Sequence, residues 1–149
     1  DVGSDQLIEK LRNDPRVSNM ENVNCRYLEP AMFNPLPDFV CMDVSFISIL
    51  SILPAVKACL KPEYEMVLLI KPQFEAGKKD IGKNGIVKDL KVHQRVLMKV
   101  INGLIALEIY PQKLVKSKVC GRDGNQEYVV YCSSKATQKV FDYQKIVKK

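Results

Sequence analysis

Apolar residues recur along the 149-residue chain with two different periods. Three segments have the spacing of about 3.6 residues that is typical of amphipathic helices. They are residues 6–12, 47–60 and 90–107. In the second segment Pro54 must either kink the helix or begin a second turn of it, because proline has no backbone N–H to donate. The pattern therefore predicts three helices of unequal length.

Two compact apolar runs, residues 38–43 and 65–71, predict short strands that are buried on both faces, as in a parallel sheet. Residues 109–119 and 127–132 predict two more strands, and the Gly-rich segment between them is typical of a β-hairpin. Residues 17–23 form a candidate edge strand. Strands that alternate with helices and end in a hairpin indicate an open α/β sheet with an antiparallel strand at one end.

Two polar segments interrupt this alternation. Residues 73–89, between a strand and a helix, are rich in Gly and Lys, which favours a functional or mobile loop. Residues 135–149 contain five lysines and few apolar positions, a composition typical of a frayed basic tail or of a terminal helix.

The composition narrows the classes of protein to consider. Lys and Arg number 23 against 17 Asp and Glu, and the formal net charge of +6 favours a polyanionic partner such as nucleic acid. The five cysteines include no C-x-x-C pair, which indicates the reducing cytoplasm and argues against a disulfide framework or a structural zinc site. No apolar run reaches the roughly eighteen residues of a membrane-spanning helix. Because the chain starts without an initiator Met or a signal peptide, we expect it to begin within a domain.

Charged residues stand at the ends of three predicted strands. Asp43 and Lys71 close the two buried strands, and Glu127 opens the last, antiparallel one. These positions meet at one edge of the sheet, where neighbouring strands lie about 4.8 Å apart. A charge at a strand end most often marks only where the strand meets water, but three on one edge favour a site. No cluster of metal ligands is visible, so no metal site is predicted.

Several motifs resemble a known family. They are DVGSDQLIEKLRNDPRV at 1–17, DVSFISILSILP at 43–54, LLIKPQFEAGKKDIGKNGIVKD at 68–89 and GRDGNQEYVV at 121–130. The chain resembles the hemolysin A or TlyA-type family of FtsJ-like (RrmJ-like) ribosomal RNA methyltransferases, which methylate ribose 2′-hydroxyls. The resemblance implies a Rossmann-like, class I fold that uses S-adenosylmethionine. It covers only the C-terminal part of that domain, because the first strand, its glycine-rich loop and the family's S4-like RNA-binding domain have no counterpart here.

The resemblance also implies roles for individual residues. Asp43, Lys71 and Glu127 match the last three members of a Lys-Asp-Lys-Glu catalytic tetrad, whose first Lys has no counterpart. For the cofactor, Asp1 matches the acidic residue that ends the second strand of the family's fold and binds the ribose hydroxyls. Asn24 falls at the end of the family's third strand, near the adenine pocket. Asp43 belongs to the cofactor site as well. The implied domains are a partial FtsJ-like domain at 1–134 and a basic tail at 135–149.

Other polar residues are assigned by their type. A surface for RNA phosphates is expected at Lys78, Lys79, Lys83 and Arg122, with a merely solvated loop as an equal alternative. The single histidine, His93, is expected to be solvated or to cap a helix. Tyr128 is expected to pack within its strand more readily than to stack on a base.

The sequence leaves alternatives open at two levels. Lys71 could accept the proton that a ribose hydroxyl loses as it attacks, or it could orient that hydroxyl. The whole chain could be a methyltransferase fragment in the cytoplasm that acts on ribosomal RNA or ribosomal subunits, a catalytically silent RNA-binding module, or a membrane-active hemolysin. Without its first strand the chain must rearrange, associate, for instance as a homodimer, or be part of a longer gene product.

Overall fold

The computed structural model describes residues 1–121 and 123–148 of the chain. Within them the strands are β1 (Phe39–Met42), β2 (Glu65–Ile70), β3 (Pro111–Lys116) and β4 (Tyr128–Ser133). The α-helices are α1 (Glu9–Arg12), α2 (Leu53–Ala58), α3 (Pro72–Glu75), α4 (Leu90–Ala106) and α5 (Tyr143–Lys148). In the described residues, no helix is both long enough and apolar enough to cross a lipid bilayer.

The four strands form one mixed sheet in the order β1-β2-β4-β3. β1 and β2 are parallel, and β4 is antiparallel to both of its neighbours, β2 and β3. The predicted α/β class, with an antiparallel last strand, is confirmed. This strand, the last in the sequence, is second from the edge of the sheet. The burial of the two strands explains this order. β4 is almost entirely buried, whereas β3 begins with a proline and exposes a lysine, features suited to an edge strand.

A single core joins the sheet to α4 and to the segment that contains α2. The side chain of Asp89 accepts a hydrogen bond from the backbone N–H of Lys91 and so caps the start of α4. The buried face of α4 has the predicted helical spacing and consists of Val92, His93, Val96, Leu97, Val100, Ile101 and Leu104. From β2, Met66, Leu68 and Ile70 are completely buried in the same core. This packing fixes the position of β2, and therefore of the residue that follows it.

β1 is less buried than its sequence predicts. Met42 is buried, but Phe39 and Cys41, which point to the opposite face of the strand, are exposed. β1 also lies at the edge of the four-stranded sheet. The apolar run therefore marks a strand correctly but overestimates how completely the rest of the described chain covers it.

The segment before β1 departs most from the predictions. Residues 17–23 are not a strand: Val23 and Asn22 donate backbone hydrogen bonds to Asp1 and Gly3, at 2.9 and 3.4 Å, and the segment does not join the sheet. The helix predicted at 6–12 is reduced to α1, whose four residues are all exposed, so its apolar side chains do not reach the core.

Three other segments resolve alternatives that the sequence left open. The helix predicted at 47–60 divides into a 3-10 turn (Ile49–Ser51) and α2, and Pro54 stands in the first turn of α2, where its missing N–H costs nothing. The polar segment after β2 contains α3 and two 3-10 turns, Lys78–Asp80 and Lys83–Gly85. The basic C-terminal segment contains a terminal helix, α5, with Val147 buried.

Candidate active site

The sheet brings the three predicted catalytic residues to one edge. Asp43 follows β1 directly and Lys71 follows β2, its parallel neighbour. Ile70 at the end of β2 pairs with Tyr128 at the start of β4, so Glu127 lies across from Lys71 where the two strands diverge. The position of β4 beside β2 therefore places a carboxylate next to the ends of the parallel strands.

The ammonium group of Lys71 is held by neighbours of three kinds. Its Nζ lies 2.6 Å from Oδ1 of Asp43, donates to Oγ of Ser45 at 3.2 Å, and lies 5.9 Å from the ring centroid of Phe74. The Lys71 side chain is only 13% exposed, whereas that of Asp43 is 67% exposed. The cation is thus fixed in direction at the base of an open site. An ammonium has three N–H donors, so Asp43 and Ser45 leave one for a ligand.

Glu127 is positioned by residues that carry no charge. It is 6% exposed, and its Oε1 accepts a hydrogen bond from Nε2 of Gln73 at 3.0 Å. A Cβ atom added to Gly121 would lie 2.6 Å from the same Oε1, so the glycine lets the backbone approach the carboxylate closely. Oε1 of Gln73 is a buried acceptor without a partner in the described part of the chain. Neither the apolar periods nor the motifs predict these contacts.

Two cavities meet at the Asp43–Lys71 pair. One of about 710 Å³ is lined by Asp43, Lys71 and Glu127, together with Gln73 and the segment around Gly121. The other, of about 550 Å³, is lined by Asp1, Asn24, Asp43 and Lys71. The three predicted catalytic residues thus surround one cavity, and the three predicted cofactor-binding residues surround the other. Phe46 lines both cavities.

Asn24 reaches its cavity by a route that differs from the prediction, because the described residues before it do not form a strand. Oδ1 of Asp1 accepts the backbone N–H of Gly3 at 2.6 Å. Oδ1 of Asn24 accepts the backbone N–H of Arg26 at 3.0 Å and caps the 3-10 turn Cys25–Tyr27. Local turns, rather than sheet pairing, hold both side chains.

The predicted RNA-binding residues lie elsewhere. Lys78, Lys79 and Lys83 are exposed on the two 3-10 turns that follow α3, and the residues lining the two cavities do not include them. Arg122 lies outside the described residues. The geometry leaves their predicted role untested.

The prediction that His93 is solvated is wrong. It is 2% exposed, its Nε2 lies 2.8 Å from the carbonyl oxygen of Val87, and its Nδ1 lies 2.9 Å from the Tyr128 hydroxyl. Because a carbonyl only accepts, Nε2 of the imidazole carries the proton, and Nδ1 accepts from Tyr128. Burial raises the pKa of Tyr128 to about 12, so the hydroxyl keeps its proton. Tyr128 is completely buried, as its predicted packing role requires.

The polar segment before α4 is anchored to the sheet near Glu127. The side chain of Asn125 accepts the backbone N–H of Val87 and donates to the carbonyl oxygen of Gly85, both at 3.1 Å. His93 binds the carbonyl of the same Val87. These contacts tie residues 85–87 to the segment that precedes β4.

A buried carboxylate connects the segments that contain Asp43 and Lys71. Glu75, at the end of α3, accepts hydrogen bonds from Oγ of Ser48 at 2.7 Å and from the backbone N–H of Ile49 at 2.8 Å. Nζ of Lys99 lies 3.7 Å from its Oε2. The motif around Lys71 is therefore clamped onto the motif that begins at Asp43. Across residues 1–121 and 123–148, no group of three or more His, Cys, Asp or Glu is placed to hold a metal ion.

Comparison with known proteins supports the fold and the resemblance. The model of the FtsJ-like methyltransferase family matches residues 1–134. The protein titled "Putative rRNA methyltransferase YqxC" of Bacillus subtilis is 46% identical over 132 residues, which are 88% of this chain and 47% of that protein. The 16S/23S rRNA (cytidine-2'-O)-methyltransferase TlyA of Mycobacterium tuberculosis is 38% identical over 131 residues, 88% of this chain and 49% of that protein.

A solved structure gives the same result in three dimensions. The structure titled "Putative hemolysin from Streptococcus thermophilus" matches with a TM-score of 0.93 and 39% sequence identity, over 99% of this chain and 55% of that one. The chain spans about half the length of the curated relatives it matches. The resemblance to hemolysin A and TlyA-type proteins is confirmed, and the chain belongs to the FtsJ-like methyltransferase family.

Proposed function

We propose that this chain is the catalytic part of an S-adenosylmethionine-dependent methyltransferase that modifies a ribose 2′-hydroxyl of ribosomal RNA. The observation that supports this most directly is the pair Asp43–Lys71, which lies at the carboxyl ends of parallel strands and lines two cavities at once. In a group-transfer reaction, the donor and the acceptor must be held on opposite sides of the group that moves. We assign residues 1–134 to this domain and 135–149 to a basic C-terminal segment.

The residues of the 550 Å³ cavity fit the cofactor. Its size falls within the roughly 300–1,000 Å³ of small-molecule sites. The carboxylates of Asp1 and Asp43 are acceptors suited to ribose hydroxyls and to a cationic donor, and Asn24 offers an amide to a base edge. Val44 and Ile52 add apolar surface to the same walls. When bound, the cofactor supplies an electrophilic methyl group.

Lys71 is proposed to orient the ribose hydroxyl in the 710 Å³ cavity. Nζ of Lys71 already lies against Asp43 and donates to Ser45, so the role proposed for it is donation of a hydrogen bond to the hydroxyl. Its remaining N–H can point at the hydroxyl oxygen and stabilise the negative charge that develops there as the hydroxyl proton passes to solvent in the open cavity. Glu127 adds a carboxylate that can accept a hydrogen bond from the same ribose.

A basic surface outside the two cavities is proposed to hold the RNA. Lys78, Lys79 and Lys83 are exposed on the segment that begins at Lys71, and the sequence adds Arg122. Contacts of this kind position a nucleic acid through its phosphates and do not read its sequence. A ribosomal substrate also implies that the protein works in the cytoplasm.

The test is methyl transfer to ribosomal RNA from cofactor that carries a labelled methyl group. We expect Lys71→Ala to lower the rate at least about 100-fold, because loss of one preorganised donor has that magnitude. The melting temperature should change little. Lys113→Ala, at an exposed lysine of β3, is the matched control and should keep full activity. Full transfer by Lys71→Ala, or a methyl group found on a base instead of a ribose, would contradict the proposal.

A further inference from the structure

We propose that the RNA strand leaves the 710 Å³ cavity along a groove between β3 and α5, where three lysines hold its phosphates. The inference rests on the proposed function and adds to it the path of the nucleotides next to the modified ribose. The groove has a volume of about 390 Å³, within the roughly 300–1,000 Å³ of small-molecule sites. Its lining residues do not include the exposed lysines that follow α3.

The groove continues directly from the cavity that contains Glu127. Ser117, which follows β3, lines both spaces. Next along the chain, Lys118 lines the groove and Val119 lines the cavity. A ribose held in the cavity is joined to its neighbours by phosphates, so an RNA strand needs an exit from that cavity. The groove provides one.

The segment between the two spaces is held in place by hydrogen bonds. The backbone N–H of Ser117 donates to the carbonyl oxygen of Glu127 at 2.9 Å, and Nε2 of Gln126 donates to the carbonyl oxygen of Ser117 at 2.9 Å. Oγ of Ser117 donates to the carbonyl oxygen of Val119 at 2.7 Å and accepts the N–H of the same residue at 3.1 Å. The start of the groove is therefore fixed relative to Glu127, and a strand that follows it needs little ordering of the protein.

Neighbouring acids do not neutralise the positive charge of the groove. Its three lysines, called the groove lysines below, are Lys116, Lys118 and Lys145. Across residues 1–121 and 123–148, none of them forms an ion pair. The lining residues include one carboxylate, Asp142, whose Oδ1 accepts the backbone N–H of Lys145 at 2.9 Å. Positive charge is therefore in excess in the groove, which suits the phosphates of a nucleic acid.

An RNA strand fits this groove better than an acidic peptide does. Leu114, Val115 and Ile146 give the groove apolar walls between the lysines, which suits a chain whose bases alternate with phosphates. A peptide could add to β3, because β3 is an edge strand of the sheet. Nothing would carry such a peptide into the cavity of Lys71, however, whereas an RNA strand bound in that cavity must continue out of it.

The first experiment measures the binding of a short single-stranded RNA of mixed sequence by fluorescence anisotropy. Lys116→Gln, Lys118→Gln and Lys145→Gln, combined in one variant, should weaken binding about ten-fold. The slope of log affinity against log salt concentration should fall by about 2, because each phosphate contact on a single strand contributes roughly 0.7. In methyl transfer to ribosomal RNA, KM should rise by a larger factor than kcat falls, since the groove lysines bind substrate away from the reacting atoms.

The matched control removes the same amount of charge outside the groove. It combines Lys113→Gln, Lys139→Gln and Lys148→Gln, at three exposed lysines that line neither the groove nor the two cavities. Its affinity for RNA should stay within about two-fold of the wild type, because exposed charges outside the binding path are screened by salt. Equal weakening by the two triple variants would mean that net charge attracts the RNA, and it would overturn the inference.

The second experiment maps the path of the RNA on the protein. Bound RNA should protect the groove lysines from acetylation by acetic anhydride, measured by mass spectrometry, while Lys113 stays reactive. Protection confined to Lys78, Lys79 and Lys83 would place the strand elsewhere and overturn the inference, as would RNA binding that protects no lysine. Methyl transfer by the wild type would in either case leave the proposed function standing. Protected groove lysines without any methyl transfer would contradict the proposed function and support the groove.

Discussion

At the scale of single residues, the candidate site depends on neutral neighbours as much as on charged ones. Glu127 is held by the amide of Gln73 and is approached closely by the backbone at Gly121. A buried carboxylate is costly unless its oxygens accept hydrogen bonds in a fixed geometry. Its direction therefore depends on residues that a search for catalytic side chains would pass over.

We expect Gly121→Ala to lower methyl transfer by about ten-fold or more with a small loss of stability. The new Cβ would lie 2.6 Å from Oε1 of Glu127, a flexible side-chain end that can turn away and lose its direction. Steady-state kinetics and thermal unfolding measure the two effects. Gly77→Ala, whose Cβ would meet nothing within 4 Å, is the matched control. If both variants keep the wild-type rate, the orientation of Glu127 has no role in catalysis.

The residue patterns predicted some of these positions and missed others for a physical reason. Asp43 and Lys71 could be paired from the sequence because each follows an apolar run, and parallel strands end at one edge. Gln73 contacts Glu127 from 54 positions away, and neither period nor composition encodes such a contact. For His93 the signal existed: it stands four residues before Leu97 on the apolar face of α4, a spacing that indicated burial.

At the scale of elements, the site depends on the contact between α3 and the segment that follows Asp43. Glu75 accepts hydrogen bonds from Ser48 and Ile49 and so connects α3, next to Lys71, with the segment that follows Asp43. Its carboxylate is 1% exposed, and Lys99 provides a nearby positive charge. The relative position of Asp43 and Lys71 therefore depends on an element contact and not only on their own ion pair.

We expect Glu75→Ala to lower the free energy of unfolding by about 3 kcal/mol, because it leaves a buried N–H and a hydroxyl without their acceptor. Urea unfolding measures the change. Glu63→Ala is the matched control, since Glu63 pairs with Lys135 at the surface and its loss should cost no more than about 0.5 kcal/mol. Equal effects of the two substitutions would mean that this contact does not stabilise the fold.

The elements themselves were predictable in proportion to their burial. α4 and β2 each contribute several buried side chains to the core, and their apolar periods predicted them well. Residues 17–23 have an apolar pattern, but a strand forms only where a partner strand completes its backbone hydrogen bonds. This segment makes only isolated backbone hydrogen bonds with Asp1 and Gly3. Pattern alone does not contain the identity of the partner.

At the scale of the whole molecule, the core contains ionisable groups that stay neutral. Burial raises the pKa of Cys132 to about 12 from 9.0, and that of Tyr128 to about 12 from 10.0. Both belong to β4, between β2 and β3. The folded chain therefore retains protons that the unfolded chain releases as the pH rises.

We expect the free energy of unfolding to fall as the pH rises from about 9 to about 12, and to be unaffected by these two groups below that range. Each retained proton contributes a slope of up to about 1.4 kcal/mol per pH unit. Urea unfolding across this range measures it. Cys132→Val removes one of the groups and should make the decline shallower. Identical slopes for the variant and the wild type would show that Cys132 ionises equally in both states.

The order of the sheet has a consequence for synthesis. β4 is the last strand in the sequence but separates β2 from β3. On the ribosome, β3 emerges before the strand that must join it to the sheet, so the edge of β2 stays open until Ser133 has left the exit tunnel. An open, apolar strand edge is a template for aggregation. Nascent chains that stall before Ser133 should consequently depend on chaperones, while those that extend past it close their own sheet.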